Sequence, residues 1–446
     1  MKVPVEVMAK MEANKQSGKT SPRLDSTQAV SGGEIDSLVK EAVFGADDQT
    51  MGEYRLLIRD LAYNQGIYPA SIQGLYEAAG KGLYHGITVP AINIRGLTYQ
   101  VARAVFRAAR KHKVGAFMFE IARSEIGYTK QRPMEYTACL LAAAAREGFR
   151  GPVFIQGDHF QFSRSKYRSE PESEINAIKQ LIQEAVSAGF LNIDIDASTL
   201  VDLEKPSLEE QQQDNCLVTA DITRFIRSIE PEGVTISIGG EIGEVGKRNS
   251  TVEDLRVFMD GYLAELGPDI VGISKISVQT GTTHGGVVLP NGSIAKVKLD
   301  FETLKRLSQA AREEYGLSGA VQHGASTLSD DAFELFPKAG TTEVHLATGF
   351  QNAIYDSPYF PGELLQKINR HHLENYQGER KPEDTEDQFL YKTRKKAWGD
   401  FKKEIWGIPE QSLREIGETL EERFSLLFQR LNVVDTVDLA GKFVVK

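Results

Sequence analysis

The sequence predicts an α/β protein built on a (β/α)8 TIM barrel, with helical extensions at its N- and C-terminal ends. Short apolar runs alternate with amphipathic helical stretches between Thr88 and Leu346, strand then helix, eight times over. Eight such units in roughly 260 residues match the usual size of this barrel. A doubly wound sheet is the alternative, but no G-x-G-x-x-G follows the first strand, so a dinucleotide-binding fold has no positive support.

Residues 1–80 are polar and mixed and read as an N-terminal extension, with short helices expected at Ser37–Val43 and Thr50–Tyr63. The barrel occupies residues 81–358. Its strands are expected at Thr88–Ile94, Val114–Glu120, Val153–Gln156, Leu191–Ile195, Val234–Ile238, Ile270–Ser274, Gly319–Gln322 and Glu343–Leu346. The first helix, Leu97–His112, repeats apolar residues near i, i+3, i+4 and i+7. Further helices are expected at Met134–Glu147, Glu172–Ala188, Thr219–Ile229, Val252–Leu266, Phe301–Tyr315 and Ser329–Phe336. Residues 359–446 form a C-terminal helical extension, broken by the charged stretch GERKPEDTEDQ and suited to capping the barrel or to an oligomer contact.

Composition narrows the function. The chain has 446 residues, with 52 basic and 62 acidic side chains, a net charge of −10. At 41% hydrophobic and 26% charged residues it is an ordinary globular composition, not a disordered one. The acidic balance argues against general nucleic-acid binding, which needs a basic surface. It leaves room for an anionic small substrate, because a metal ion and helix N-termini bind phosphate inside acidic proteins. No stretch approaches the ~20 apolar residues that span a bilayer. The start, MKVPVEVMAKMEANKQSGKT, has no apolar signal core. Cys139 and Cys216 cannot build a disulfide framework or a multi-thiolate zinc site, so a cytoplasmic location is the expectation, with no membrane partner.

Barrel chemistry sits at the C-terminal ends of the strands. The third expected strand ends in Gln156-Gly157-Asp158-His159 and the fourth carries Asp194 and Asp196. The fifth runs into Glu241 and Glu244, the sixth leads to GTTHGG with His284, the seventh ends in His323-Gly324, and the eighth contains His345. Of the 8 histidines, His159, His284 and His323 follow strand ends beside glycine or aspartate and would converge at one mouth. Three imidazoles with an open position are a common catalytic zinc site, acting as a Lewis acid on a carbonyl or enediolate. One strand-end histidine is usually a hydrogen-bonding residue; it is the repeated position that raises the metal reading. Asp158 could exchange protons beside such a site. Glu241 and Asp196 could orient the ligands, bind a second cation or hold substrate hydroxyls. Asp196 is the better functional candidate of the two strand aspartates, and Glu244 reads as a solvated loop residue. His85, His112, His371 and His372 sit in surface-like contexts, and Trp398 and Trp406 read as helix-packing residues. The small-residue loops Gly281–Gly286 and Gly324–Thr327 supply amides suited to phosphate.

These residues resemble the class II, metal-dependent ketose-bisphosphate aldolases that act on fructose or tagatose bisphosphate, over about Thr88 to Gln351. VPAINIRGLTYQVARAVFRAA resembles the family's opening strand and helix. GDHF resembles its Asp-His motif, NIDIDAS its fourth-strand segment, GGEIGEVG its E-x-E-L-G segment, and TGTTHGG and VQHGAS its two later histidine motifs. The resemblance implies that His159, His284 and His323 bind the catalytic zinc. It implies that Asp158 is the acid/base for the C4-hydroxyl proton with Glu241 as a second catalytic acidic residue, and that Asp196 stands with the metal ligands, with room for a second divalent or monovalent ion. Gly285 and Ser326 match phosphate-loop positions, and Gly324, His345 and Thr348 stand with them as substrate-binding candidates. The implied reaction is reversible cleavage of a ketose bisphosphate to dihydroxyacetone phosphate and an aldehyde, in glycolysis or related carbohydrate metabolism. The implied assembly is a homo-oligomer, a dimer or tetramer. The eighth strand departs from the family: His345 replaces an Asn that contacts the enediolate, and Gly349 replaces an acid. That change opens a second reading, a metal-dependent ketose 4-epimerase working by cleavage and re-addition. A third, a non-catalytic aldolase-like subunit, is opposed by the complete histidine set.

Overall fold

The computed structural model describes residues 31–243, 248–281, 289–290 and 299–444. The strands are β1 (Ile67–Ala70), β2 (Val89–Asn93), β3 (Met118–Ala122), β4 (Gly151–Gln161), β5 (Asn192–Asp196), β6 (Ser237–Glu241), β7 (Lys275–Val278), β8 (Ala320–Gln322) and β9 (Glu343–Leu346). They form one sheet in the order β1-β4-β3-β2-β9-β8-β7-β6-β5, and pairing of β4 with β5 closes β2–β9 into an eight-stranded barrel. Neighbouring strands run parallel, with helices on the outside. The predicted TIM barrel is the fold.

The strand before the barrel was not expected. β1 pairs only with the start of β4, from Ile67 opposite Gly151 to Ala70 opposite Phe154. Pro69 suits that edge position, where a missing N–H costs no ladder bond. Asn192 ties this strand into the barrel floor: its Oδ1 accepts from the Ile72 amide at 2.8 Å, and its Nδ2 donates to the carbonyls of Ala70 and Ile155.

Three barrel strands are shifted from their expected places, the first being β3, which begins at Met118, four residues after the expected Val114. β7 begins at Lys275, just beyond the expected Ile270–Ser274, and β6 begins three residues late. The apolar run before β7 starts in a loop, where Val271 is 49% exposed. Ladder pairing, not apolarity, sets the strand: Gly239 opposes Lys275 and Glu241 opposes Ser277. β4 runs past its expected end at Gln156, through a bulge that inserts one residue between Gly157 and Phe160.

The helices form for legible reasons. Thr98–Lys111 buries Val101, Ala102, Val105, Phe106 and Ala109 along one face and ends in Arg110 and Lys111, which suit the negative end of its dipole. Val252–Leu266 starts with a capping box between Thr251 and Asp254. Phe301–Tyr315 starts at Asp300, which accepts from the Thr303 amide, and stops at Gly316 in the left-handed region. The flanking segments pack against this shell. Helix Glu410–Arg430 lies on Thr98–Lys111. Phe428 meets Phe117 with ring centroids 5.7 Å apart. Glu135 receives Arg55 from the N-terminal helix Asp48–Asn64 at 3.3 Å and Lys402 from the C-terminal segment at 2.6 Å. No described helix is long and apolar enough to cross a membrane.

Candidate active site

Two layers of ionisable residues stack inside the barrel. The lower layer is sealed. Lys275 of β7 is 1% exposed, and its Nζ reaches Gln156 Oε1 at 2.6 Å, Asp194 Oδ1 at 3.0 Å and Glu343 Oε1 at 2.5 Å. Tyr76, buried beneath, donates its hydroxyl to Glu343 Oε2. Gly239 lies between Asp194 and Lys275 in the ladder; a Cβ there would collide with the Asp194 carboxylate and stand 2.9 Å from Lys275 Cε. Burial raises the Asp194 carboxyl although Lys275 opposes it. Burial also pushes against ionised Glu343, but Lys275 and then His345 hold its carboxyl well below the usual range.

The upper layer lies at the mouth. The bulge in β4 puts His159 at φ 40°, a left-handed conformation that a histidine adopts only when its surroundings hold it. Gly157 permits this turn by letting the Phe160 ring come to where a Cβ would be 2.5 Å away. His159 Nδ1 then lies 3.0 Å from Asp196 Oδ2 and 3.3 Å from Glu241 Oε2, with Nε2 3.9 Å from Asp158 Oδ1. Burial alone would lower its pKa; the charges of Asp158 and Glu241 and hydrogen bonds to Asp196 and Glu241 raise it well above the ordinary value. His323, at the end of β8, meets Ser277 Oγ with its Nε2 at 2.9 Å, and its ring centroid is 4.2 Å from that of His159. Donor atoms of Asp158, His159 and His323 all lie within 4.8 Å of one another, as do those of His159, Asp196 and Glu241. This mixed set of imidazole nitrogens and carboxylate oxygens suits a borderline divalent ion such as zinc.

His345 joins the layers. Its Nε2 is 2.6 Å from Glu343 Oε1, while its Nδ1 is 3.2 Å from Asp158 Oδ1 and 2.9 Å from Glu120 Oε2. Burial opposes a charge here, yet Glu120 and Asp158 raise the pKa well above 6.5. An imidazolium donating from both nitrogens would face all three carboxyl groups at once. Expected as a substrate-binding residue, His345 lines the cavity at the mouth and has both nitrogens turned to protein carboxylates, Asp158 among them.

A cavity of about 630 Å³ opens above these groups, a size suited to a small ligand. Asp158, His159, His323, Gly324, Ser326, His345 and Thr348 line it, so the structure brings these expected residues together. Ser326 Oγ accepts from the Ala347 amide at 2.6 Å, and Thr348 Oγ1 accepts from Arg95 at 3.4 Å. Asp196 and Glu241 stand behind His159. His284, Gly285 and Glu244 lie outside the described residues.

Sequence reasoning missed Glu120, Arg95, Glu125 and Lys395 on the cavity wall, and Lys275 and Glu343 below it. Arg95 Nε pairs with Glu125 Oε1 at 2.7 Å. The signal was present: Glu120, Lys275 and Glu343 each interrupt an apolar strand run (FMFEIA, ISKISV, TTEVHL), as inward-facing barrel residues do. His372 also differs from its expected surface setting, being fully buried.

A parallel barrel with imidazoles and carboxylates gathered at its C-terminal mouth defines a metal-site barrel of the kind that acts on small molecules. More particularly, the chain belongs to the fructose-bisphosphate aldolase class-II family, whose sequence profile matches residues 72–404. Class II aldolases are generally metal-dependent, and this chain offers a matching His/Asp/Glu set. Among solved structures, a probable tagatose 6 phosphate kinase from Sinorhizobium meliloti 1021 is 16% identical over 79% of this chain and 98% of its own, with TM-score 0.54. The fructuronate-tagaturonate epimerase UxaE from Cohnella laeviribosi is 13% identical over 88% of this chain and 86% of its own, with TM-score 0.53. The YdjI aldolase from Escherichia coli K12 is 15% identical over 82% of this chain and 98% of its own, with TM-score 0.48. At such identities the likeness to the first two is one of fold. No curated protein matches the sequence.

Proposed function

We propose that this chain is a zinc-dependent lyase that cleaves a ketose phosphate or bisphosphate between C3 and C4, giving dihydroxyacetone phosphate and an aldehyde, and runs the condensation in reverse. The observation that carries this reading is Asp158, held by His345 at 3.2 Å, beside the paired rings of His159 and His323 on the cavity floor. His159 and His323, with His284, would hold the ion. When bound, the ion supplies Lewis-acid stabilisation of charge developing on the ketone oxygen. Asp158 takes the proton from the C4 hydroxyl as the bond breaks and returns it on condensation. Ser277 fixes the His323 ring, and Asp196 and Glu241 fix His159. Gly285, Gly324, Ser326 and Thr348 would receive the phosphate, with Arg95 adding positive charge.

Incubating the zinc-loaded protein with fructose and tagatose bisphosphates tests this. Triose phosphate release that falls on replacing Asp158 with Asn supports it; intact ketose from the wild type overturns it.

A second reading is C4 epimerisation, in which the aldehyde turns within the site and is added back. His345, standing where the family offers an Asn, favours it, and the epimerase UxaE shares the fold. A C4-inverted ketose without trioses, seen by NMR, is its signature. We read residues 1–80 and 359–446 as extensions of the barrel domain, and the protein as a cytoplasmic homo-oligomer of carbohydrate metabolism.

A further inference from the structure

We propose that Glu120 is a second proton-carrying catalytic residue, which with Asp158 equips this site to invert C4 of a ketose phosphate; the inference rests on the aldol reading above.

Glu120 is the middle residue of the barrel's second strand, β3, opposite Gln156 in the ladder. It is 1% exposed and lines the same cavity as Asp158. Its Oε2 accepts from Gln156 Nε2 at 3.1 Å and faces His345 Nδ1 at 2.9 Å. Its Oε1 is buried without a hydrogen-bond partner among the described residues. A buried carboxyl oxygen left without a partner costs free energy unless a ligand or proton satisfies it. Burial, then the Asp158 charge, raises its carboxyl well above the usual range against the pull of His345, with Glu343 adding to the rise. Two carboxyls that face one imidazole nitrogen can exchange a proton through it, which suits them to opposite proton roles.

Inversion by cleavage needs two such groups. Asp158 accepts the C4-hydroxyl proton, O4 becomes a carbonyl oxygen, and the C3–C4 electron pair passes to the C2 ketone as an enediolate. After a half-turn of the aldehyde, C3 attacks its other face. The C3–C4 bond reforms, the carbonyl pair moves onto O4, and O4, now directed to the other side, takes its proton from Glu120. His345 Nδ1, within hydrogen-bond reach of both carboxylates, returns the proton from Asp158 to Glu120. One proton is moved and restored, and nothing is oxidised or reduced.

The test uses full-length zinc-loaded protein with fructose and tagatose bisphosphates as the C4-epimeric pair. The released dihydroxyacetone phosphate is reduced by a coupling dehydrogenase with NADH, so each cleavage is irreversible and read separately. The wild type is expected to cleave both epimers. Glu120→Gln is expected to slow one epimer at least about tenfold more than the other, and Asp158→Asn to show the opposite preference. Glu120→Asp, which keeps a carboxyl, should restore much of the lost rate and provides a second readout if the Gln variant does not fold. Equal slowing of both epimers in the Gln variant, or in the Asp variant if only that one folds, assigns Glu120 a structural role and overturns the proposal. Failure of the wild type to cleave or interconvert either epimer overturns the aldol reading and this inference together.

Discussion

The sealed interior layer and the mouth layer are built from the same kinds of side chain, yet they balance their charge in different ways. The interior carboxylates Asp194 and Glu343 share a cation that is part of the chain, the Lys275 ammonium, with Gln156 and Tyr76 completing the hydrogen bonds. At the mouth, Asp196 and Glu241 face His159, and among the described residues neither pairs with Lys or Arg. A fixed lysine makes a structural core; the imidazole-and-carboxylate cluster at the mouth is a donor set of the kind that can hold an exchangeable ion. The barrel thus separates a permanent charge balance from a replaceable one by about one turn of side-chain alternation along its strands.

That contrast can be broken in several ways. Lys275→Met leaves Asp194 and Glu343 buried and uncompensated and should destabilise by about 3–5 kcal/mol. Urea unfolding measures this, and zinc should not rescue it; a near-neutral result would show that the interior does not depend on its lysine. Asp158→Asn should act on rate instead, lowering triose release by about 10²–10⁴ with the urea midpoint near that of wild type. Removing divalent ions with a chelator should lower thermal stability reversibly, by about 2.7 kcal/mol relative to protein with free ion at a hundred times its dissociation constant. Differential scanning calorimetry with and without added zinc checks it, and an unchanged melting curve counts against a mouth cation.

The smallest effect lies in the C-terminal extension, in helix Gly362–Asn375. Burial first, and then neighbouring His371, hold the His372 imidazole down to about 4, and neither ring nitrogen has a partner among the described residues. The unfolded chain takes up this proton near pH 6.5, whereas the folded chain resists it until about pH 4. Stability is therefore fully present above pH 6.5 and is lost as pH falls from there toward 4. His372→Phe should flatten that slope, raising the melting temperature at pH 5 more than at pH 8; parallel curves for the two proteins would refute it.

The fold was legible because strand–helix alternation is a long-range pattern repeated eight times. Shifted strands such as β7 were not, because ladder register depends on neighbours remote in sequence. The mouth was legible where histidine and aspartate follow strand ends, as in Gly157-Asp158-His159. The bulge was hidden, since nothing in QGDHF marks one extra residue. The interior layer was passed over because single charges inside apolar runs read as interruptions; only closure of the barrel turns Glu120, Lys275 and Glu343 toward one another.

The shared attachment at Glu135 bears on how this protein can be trimmed. Arg55 and Lys402 come from opposite ends of the chain and neutralise the same nearly buried acid. A shortened version lacking either flank would leave that acid half-matched, so the two tails are not independent appendages. Fusions and tags are better tolerated beyond them than in their place.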